Sequence, residues 1–270
     1  MTNSVFRIAL LFALVPACSD HGPGATTDGG AVGDGGQWGG VDPDAGDLAG
    51  LAATSASWAL NEWHEIGENH LSSVYLSRAQ LDAIDPALWQ VSGPDAAISI
   101  WSAGAFDGAR LFIGAAGAHG GYNGNEMYEF SLATLSWRRL YDPSPTAVCM
   151  PNGAGVDCTT QWGTQALHQY DGMVYSSTTR SIFVFGTGAD PCWVWRLDDP
   201  DVTSGWHHFA CAPNMPTSYM KTAEDPASGR IVVLGGGSTG VAELDPMSLT
   251  WSRVTSPSFT YASYSVADID

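Results

Sequence analysis

"GAHGGYNGNEMYEFSLATLSWRRL", residues 117–140, opens on a glycine-rich loop and closes on an alternating stretch with one tryptophan. Glycines in such a loop can cradle a phosphate ahead of a helix, or they can turn the chain between two strands. The residues after the loop distinguish the two. "NEMYEFSL" (125–132) is aromatic-rich and has no helical periodicity, and no P-loop lysine comes after the glycines. That composition reads as a strand.

The same order recurs along the chain. "ARLFIGAAG" (109–117), "RSIFVFGTG" (180–188) and "GRIVVLGGG" (229–237) are apolar runs that each end in a glycine cluster. Before each lies a polar turn ("AFDG", "SSTT", "EDPAS"), and before the turn another short strand ("ISIWSAG", "GMVYSS", "YMKTA"). After each cluster comes a third strand ("NEMYEFSL", "CWVWRLD", "GVAELDP") and then a fourth that holds Trp137, Trp206 or Trp251. The unit is therefore strand, turn, strand, glycine cluster, strand, turn, tryptophan strand. The tryptophans are 69 and 45 residues apart, the longer gap being due to the insertion "DPSPTAVCMPNGAGVDCTTQWGTQ" (142–165).

A four-stranded unit of about 45–50 residues resembles the kelch repeat, including the galactose oxidase type of propeller. The matching residues are the glycines after the second strand (Gly186, Gly188, Gly235, Gly236), an aromatic in the third (Tyr128, Trp195) and the fourth-strand tryptophan. The first unit departs from it with "GAAG", and the third lacks the aromatic. The resemblance implies an all-β fold, a kelch-type β-propeller of four-stranded blades at about 97–141, 168–211 and 217–255 within a domain spanning 51–270. A further blade starts at 259–270, where "YASYSVADID" aligns with a first strand and its turn, and "NEWHEI" (61–66) reads as an isolated fourth strand. Three blades cannot close a ring, so the propeller is expected to be incomplete at the C-terminus. Between them, "LSRAQLDAIDPALWQV" carries Ser77 and Gln80 at capping-box spacing, which predicts a short helix near 78–84.

The first 17 residues read as an export signal: Arg7, then the apolar run "IALLFALVPA", too short to span a bilayer. "LVPACSD" resembles a bacterial lipobox, which implies cleavage before Cys18, lipid on that cysteine and, with Ser19 next, an outer-membrane address. Residues 18–50 are dominated by Gly and Asp and read as a flexible tether. With 10 Lys plus Arg against 28 Asp plus Glu, the net charge is −18. Nucleic acid is excluded as a partner, and a membrane enters only through the lipid anchor. Without Cys18 the cysteines number four, Cys149, Cys158, Cys192 and Cys211. An even count in an exported chain predicts disulfides. The pairs Cys149–Cys158 and Cys192–Cys211 are preferred because each closes a short loop. No CxxC spacing marks a metal site, and no cofactor is expected.

"GGSTG" (236–240) has the spacing of a nucleophile elbow, but a strand rather than a helix comes after it. "HEIGENH" (64–70) has the wrong histidine spacing for zinc. The candidate binding residues are those at the blade ends. His119, Tyr122, Asn123 and Asn125 lie between the second and third strands of the first unit. His168, Tyr170 and Asp171 precede the first strand of the second unit, and Tyr219 and Lys221 stand at that of the third. Such side chains grip a sugar or peptide by stacking and hydrogen bonds, or hold neighbouring blades together. His207 and His208, on a fourth strand, are expected at the rim. The reading that results is a non-catalytic cell-surface or periplasmic binding propeller for a carbohydrate or protein ligand. The alternative is a galactose oxidase-like secreted enzyme, although no grouping of histidines here marks copper ligands.

Overall fold

The computed structural model describes residues 69–96, 103–114, 122–146, 172–185, 192–198, 206–212, 220–234 and 241–254, together with 48, 51 and 55–57. Within them are three four-stranded antiparallel sheets, each a meander in chain order. Sheet one holds β1 (Gly104–Phe106), β2 (Arg110–Gly114), β3 (Met127–Ser131) and β4 (Ser136–Arg139). Sheet two holds β5 (Met173–Ser176), β6 (Ser181–Val184), β7 (Cys192–Arg196) and β8 (Trp206–Phe209). Sheet three holds β9 (Lys221–Glu224), β10 (Ile231–Leu234), β11 (Val241–Asp245) and β12 (Thr250–Val254). Three four-stranded units form as expected, except that β1 lies on Gly104–Phe106, where the turn "AFDG" was expected; "NEWHEI", "YASYSVADID", the four matching glycines and residues 1–47 lie outside the described residues.

The sheets stack face to face. Side chains alternate along a strand, so each sheet has two faces, and sheet two is apolar on both. Ile182, Val184, Trp193 and Trp195 meet Ala105, Phe112 and Met127 of sheet one. On the other side, Val174, Phe183 and Phe209 meet Ile231, Val233 and Leu244 of sheet three. This is why "IFVF" reads as an unbroken apolar run: strands covered on both faces do not alternate with polar residues. Phe112 and Phe183 are fully buried, and each such side chain contributes about 1.5–3 kcal/mol.

The innermost strands lie side by side, β1 against β5 and β5 against β9. β5 and β9 run in the same direction: Thr222 Oγ1 donates to Met173 O at 3.2 Å near their starts, and Ser176 Oγ to Glu224 Oε1 at 2.9 Å at their ends. First strands adjacent and sheets stacked is the arrangement of propeller blades.

Local chemistry explains the hairpins. Ser131 Oγ accepts from the backbone N–H of Ala133 and Thr134, and Asp245 Oδ1 from those of Met247 and Ser248. These Ser and Asp turns are closed by Leu135 and Leu249, both left-handed at φ 51° and 54°. The twin turns fix the register of the fourth strands. Trp137 then pairs with Phe130, Trp206 with Trp195 and Trp251 with Leu244. The third-strand aromatic of the first unit is thus Phe130, not Tyr128 as the sequence pattern had it, and Leu244 takes that place in the third.

The expected helix forms as α1 (Arg78–Ile84), with Ser77 and Gln80 closing a capping box. It belongs to residues 70–96, which cap the face of sheet one turned away from sheet two. Leu71 and Val74 pack on Tyr128, Ile113 and Trp137 of that face.

Candidate functional site

In each meander the second strand ends, and the third begins, beside the start of the first. Gly114 pairs with Met127, Met173 with Val184 and Lys221 with Leu234. These pairs mark one end of the sheets, opposite the tight turns after Phe106, Ser176 and Glu224. All the candidate binding residues belong by chain order to connections that start or finish there. His119, His168, Tyr170, Asp171 and Tyr219 lie outside the described residues, as do Cys18, Cys149 and Cys158.

Tyr122, Asn123 and Asn125 lead into β3 and are held by the protein itself. Tyr122 is fully buried among Leu76, Leu81, Leu88 and Ala96 and forms an antiparallel bridge with Trp89. Asn123 donates its backbone N–H to Leu88 O at 3.0 Å and its side-chain amide to Ala87 O at 2.9 Å. Asn125 is buried; its Oδ1 accepts from Ser144 N–H at 2.8 Å and its amide donates to Ser144 Oγ at 3.3 Å. Asn123 and Lys221 are half-buried and sit at the sheet end. The structure thus brings together three of the nine expected residues, as ties between the cap, sheet one and the segment after β4.

At the centre of these ties is a residue that sequence reasoning missed. Glu126 is 1% exposed. Its Oε1 accepts from the hydroxyls of both Tyr122 and Tyr128 at 2.6 Å each. Its Oε2 and the Tyr75 hydroxyl are buried without a hydrogen-bond partner among the described residues. Burial pushes the Glu126 carboxyl up from its ordinary 4.5, against the downward pull of the two phenols and Arg139. Burial and the nearby Glu126 push the Tyr122 and Tyr128 hydroxyls far above the usual phenol range. Gly124 is required here, since a Cβ at that position would overlap Tyr122 and Glu126. The visible signal was slight: a glutamate with tyrosines four residues before and two after, at the mouth of an apolar strand.

His207 and His208 are exposed on β8, as expected for a rim, and His208 meets Trp193 edge-on at 5.9 Å. Cys192 and Cys211 form the expected disulfide across 19 residues. Among the described residues no group of three His, Cys, Asp or Glu side chains could hold a metal ion.

No protein-family model and no curated protein matches the chain. Among solved structures it is similar to YjhT at 14% identity and a TM-score of 0.35, over 58% of this chain and 52% of that one. It is also similar to an engineered GH43 glycoside hydrolase that displays endo-xylanase and exo-arabinofuranosidase activity, at 14% identity and a TM-score of 0.37. That match covers 66% of this chain and 34% of the hydrolase. The chain thus spans about half of the first and a third of the second. At these scores neither likeness carries an argument, and the propeller-blade arrangement rests on the sheets themselves.

Proposed function

We propose that the chain is a non-catalytic binding protein built on a kelch-type β-propeller, exported and tethered to the outer membrane by lipid on Cys18. Its ligand, a carbohydrate or a protein segment, is taken at the sheet end where the second strands meet the third. One observation supports this reading: the strands that flank the candidate-bearing connections in the chain start or finish at that end, on sheets with packed apolar cores. Rigid elements presenting polar and aromatic connections are the usual build of a recognition surface.

The propeller is proposed to continue beyond sheet three. Residues paired across neighbouring strands share a face. One such row reads Ala105–Phe112–Glu129–Arg138 in sheet one, and the corresponding row reads Ala223–Val232–Glu243–Ser252 in sheet three. Sheet two covers the first row, leaving Phe112 and Glu129 buried, whereas Val232 and Glu243 are half-buried. Even the ionic corner repeats, Arg110–Glu129 at 3.9 Å and Arg230–Glu243 at 4.0 Å. A face built like one that a sheet covers is built to be covered.

The oxidase alternative would need a Tyr–Cys cross-link. With Cys192 and Cys211 paired, that link could draw only on Cys18, Cys149 or Cys158. A glycan array and a peptide array on the full exported chain test the proposal. Specific, saturable binding to one of them is expected. Bound copper with a thioether adduct in the intact mass would overturn the binding reading in favour of the oxidase.

A further inference from the structure

The cap of residues 70–96 meets sheet one through two tyrosines. Tyr122 lies within the apolar cluster formed by the cap. Tyr128 meets Tyr75 edge-on at 5.5 Å and packs under Leu71. Three hydrogen-bonded ties run beside them, from Asn123 to Ala87 and Leu88, from Arg139 to Val74 O, and from Thr146 to Asp85. Both tyrosines donate to the same oxygen of the same buried carboxyl group, Glu126 Oε1. The other oxygen has no donor among the described residues. A neutral carboxylic acid tolerates such a place far better than a carboxylate, which would leave half of its charge unsolvated.

We propose that Glu126 is a proton-controlled latch for this cap. As the acid it lets Tyr122 and Tyr128 hold the cap on sheet one; as the carboxylate it loosens the cap until water reaches Oε2. Glu126 is faced by Tyr122 of its own segment, by Tyr128 of β3, by Tyr75 of the cap, by Arg139 of β4 and by Tyr141 just after it. Asp142 stands near Tyr122, and Asp95 near Tyr75. Arg139 is the one cation in this set. It also bonds Asp142 at 2.9 Å and Val74 O, so its charge is shared.

The sign comes from linkage. With the cap closed, the carboxyl holds its proton above 4.5; with the cap open, it titrates at its ordinary value. Closure therefore binds a proton. It is strongest below about 4.5 and weakens as pH rises toward the raised value, by up to about tenfold per pH unit. Opening would also free Asn123 and Tyr122, so the latch would govern access to part of the proposed ligand end. It does not rest on that reading and stands or falls without any ligand.

Hydrogen exchange of the full chain, followed by mass spectrometry from about pH 4 to 8 and corrected for intrinsic rates, tests it. Bonds from Thr146 and Ala87 hold the Asp85 carboxyl below its ordinary 3.8, so its own titration strengthens the cap as pH rises, the opposite sense to Glu126. Peptides from 71–89 should lose protection by up to about tenfold per pH unit through part of the range, while those of sheet two do not change. E126Q should flatten the profile. Y122F removes one donor to the carboxylate and should extend the loss to higher pH without moving its onset. Cap protection that is independent of pH in the wild-type chain would overturn the latch. So would sheet two opening in step with the cap, or an unaltered slope in E126Q. Should E126Q fail to fold, the wild-type and Y122F profiles decide.

Discussion

Glu224, at the end of the first strand of sheet three, accepts the Ser176 hydroxyl of sheet two at 2.9 Å. The same carboxylate takes the backbone N–H of Ser177 at 2.9 Å and of Thr178 at 3.3 Å. One side chain thus satisfies the tight turn of the neighbouring sheet. E224A leaves the buried Ser176 hydroxyl without this acceptor, while water can reach the exposed Ser177 and Thr178 N–H groups, and should destabilise the chain by about 1–3 kcal/mol. Urea denaturation of the two proteins side by side measures it. A change within error would mean that water replaces the carboxylate without cost.

Phe112 is fully buried between sheets one and two and meets Trp195 edge-on at 5.8 Å. F112A should cost about 3–5 kcal/mol, because the two flat faces cannot collapse onto the void. Its mirror on the far side of sheet two is Phe183, also fully buried. Thermal melts of F112A and F183A should show comparable losses if the sheets stack as equivalent layers.

The Cys192–Cys211 disulfide closes a loop across 19 residues and joins the start of β7 to the residues after β8. Closing a loop of that size restricts the unfolded chain by about 3 kcal/mol. C192S/C211S should lower stability by that order under non-reducing conditions. Thiol titration of the denatured, unreduced chain should find neither cysteine free.

Gly229 adopts φ +67°, and a Cβ there would overlap the Thr178 hydroxyl of sheet two. G229A should cost about 1–2 kcal/mol for the left-handed backbone alone, with a further loss from displacing Thr178. G229A/T178A should recover the second part and not the first, a separation that a double-mutant cycle in urea reads directly.

Much of this architecture is legible in the chain. "IFVF" locates a strand covered on both faces and "IVVL" one buried on the face toward sheet two, Ser77 and Gln80 locate α1, and the spacing of Cys192 and Cys211 anticipates their pairing. Each is a local signal, set by side-chain periodicity, a capping pair or a short loop. The third-strand aromatic was misplaced by two residues because pattern alone cannot fix register; the Ser131 and Asp245 turns do that, and they set Phe130 opposite Trp137.

The candidate site was less legible. Chain order put Tyr122, Asn123 and Asn125 at the end of the sheets where the second strands meet the third, but sequence could not say what they touch. Asn125 meets Ser144 across 19 residues, and Asn123 meets Ala87 across 36. Local sequence determined where the strands, the capped helix and one disulfide form. Tertiary structure alone decided that Glu126 is buried and shared by two tyrosines, because burial of a charge depends on which distant segments close over it.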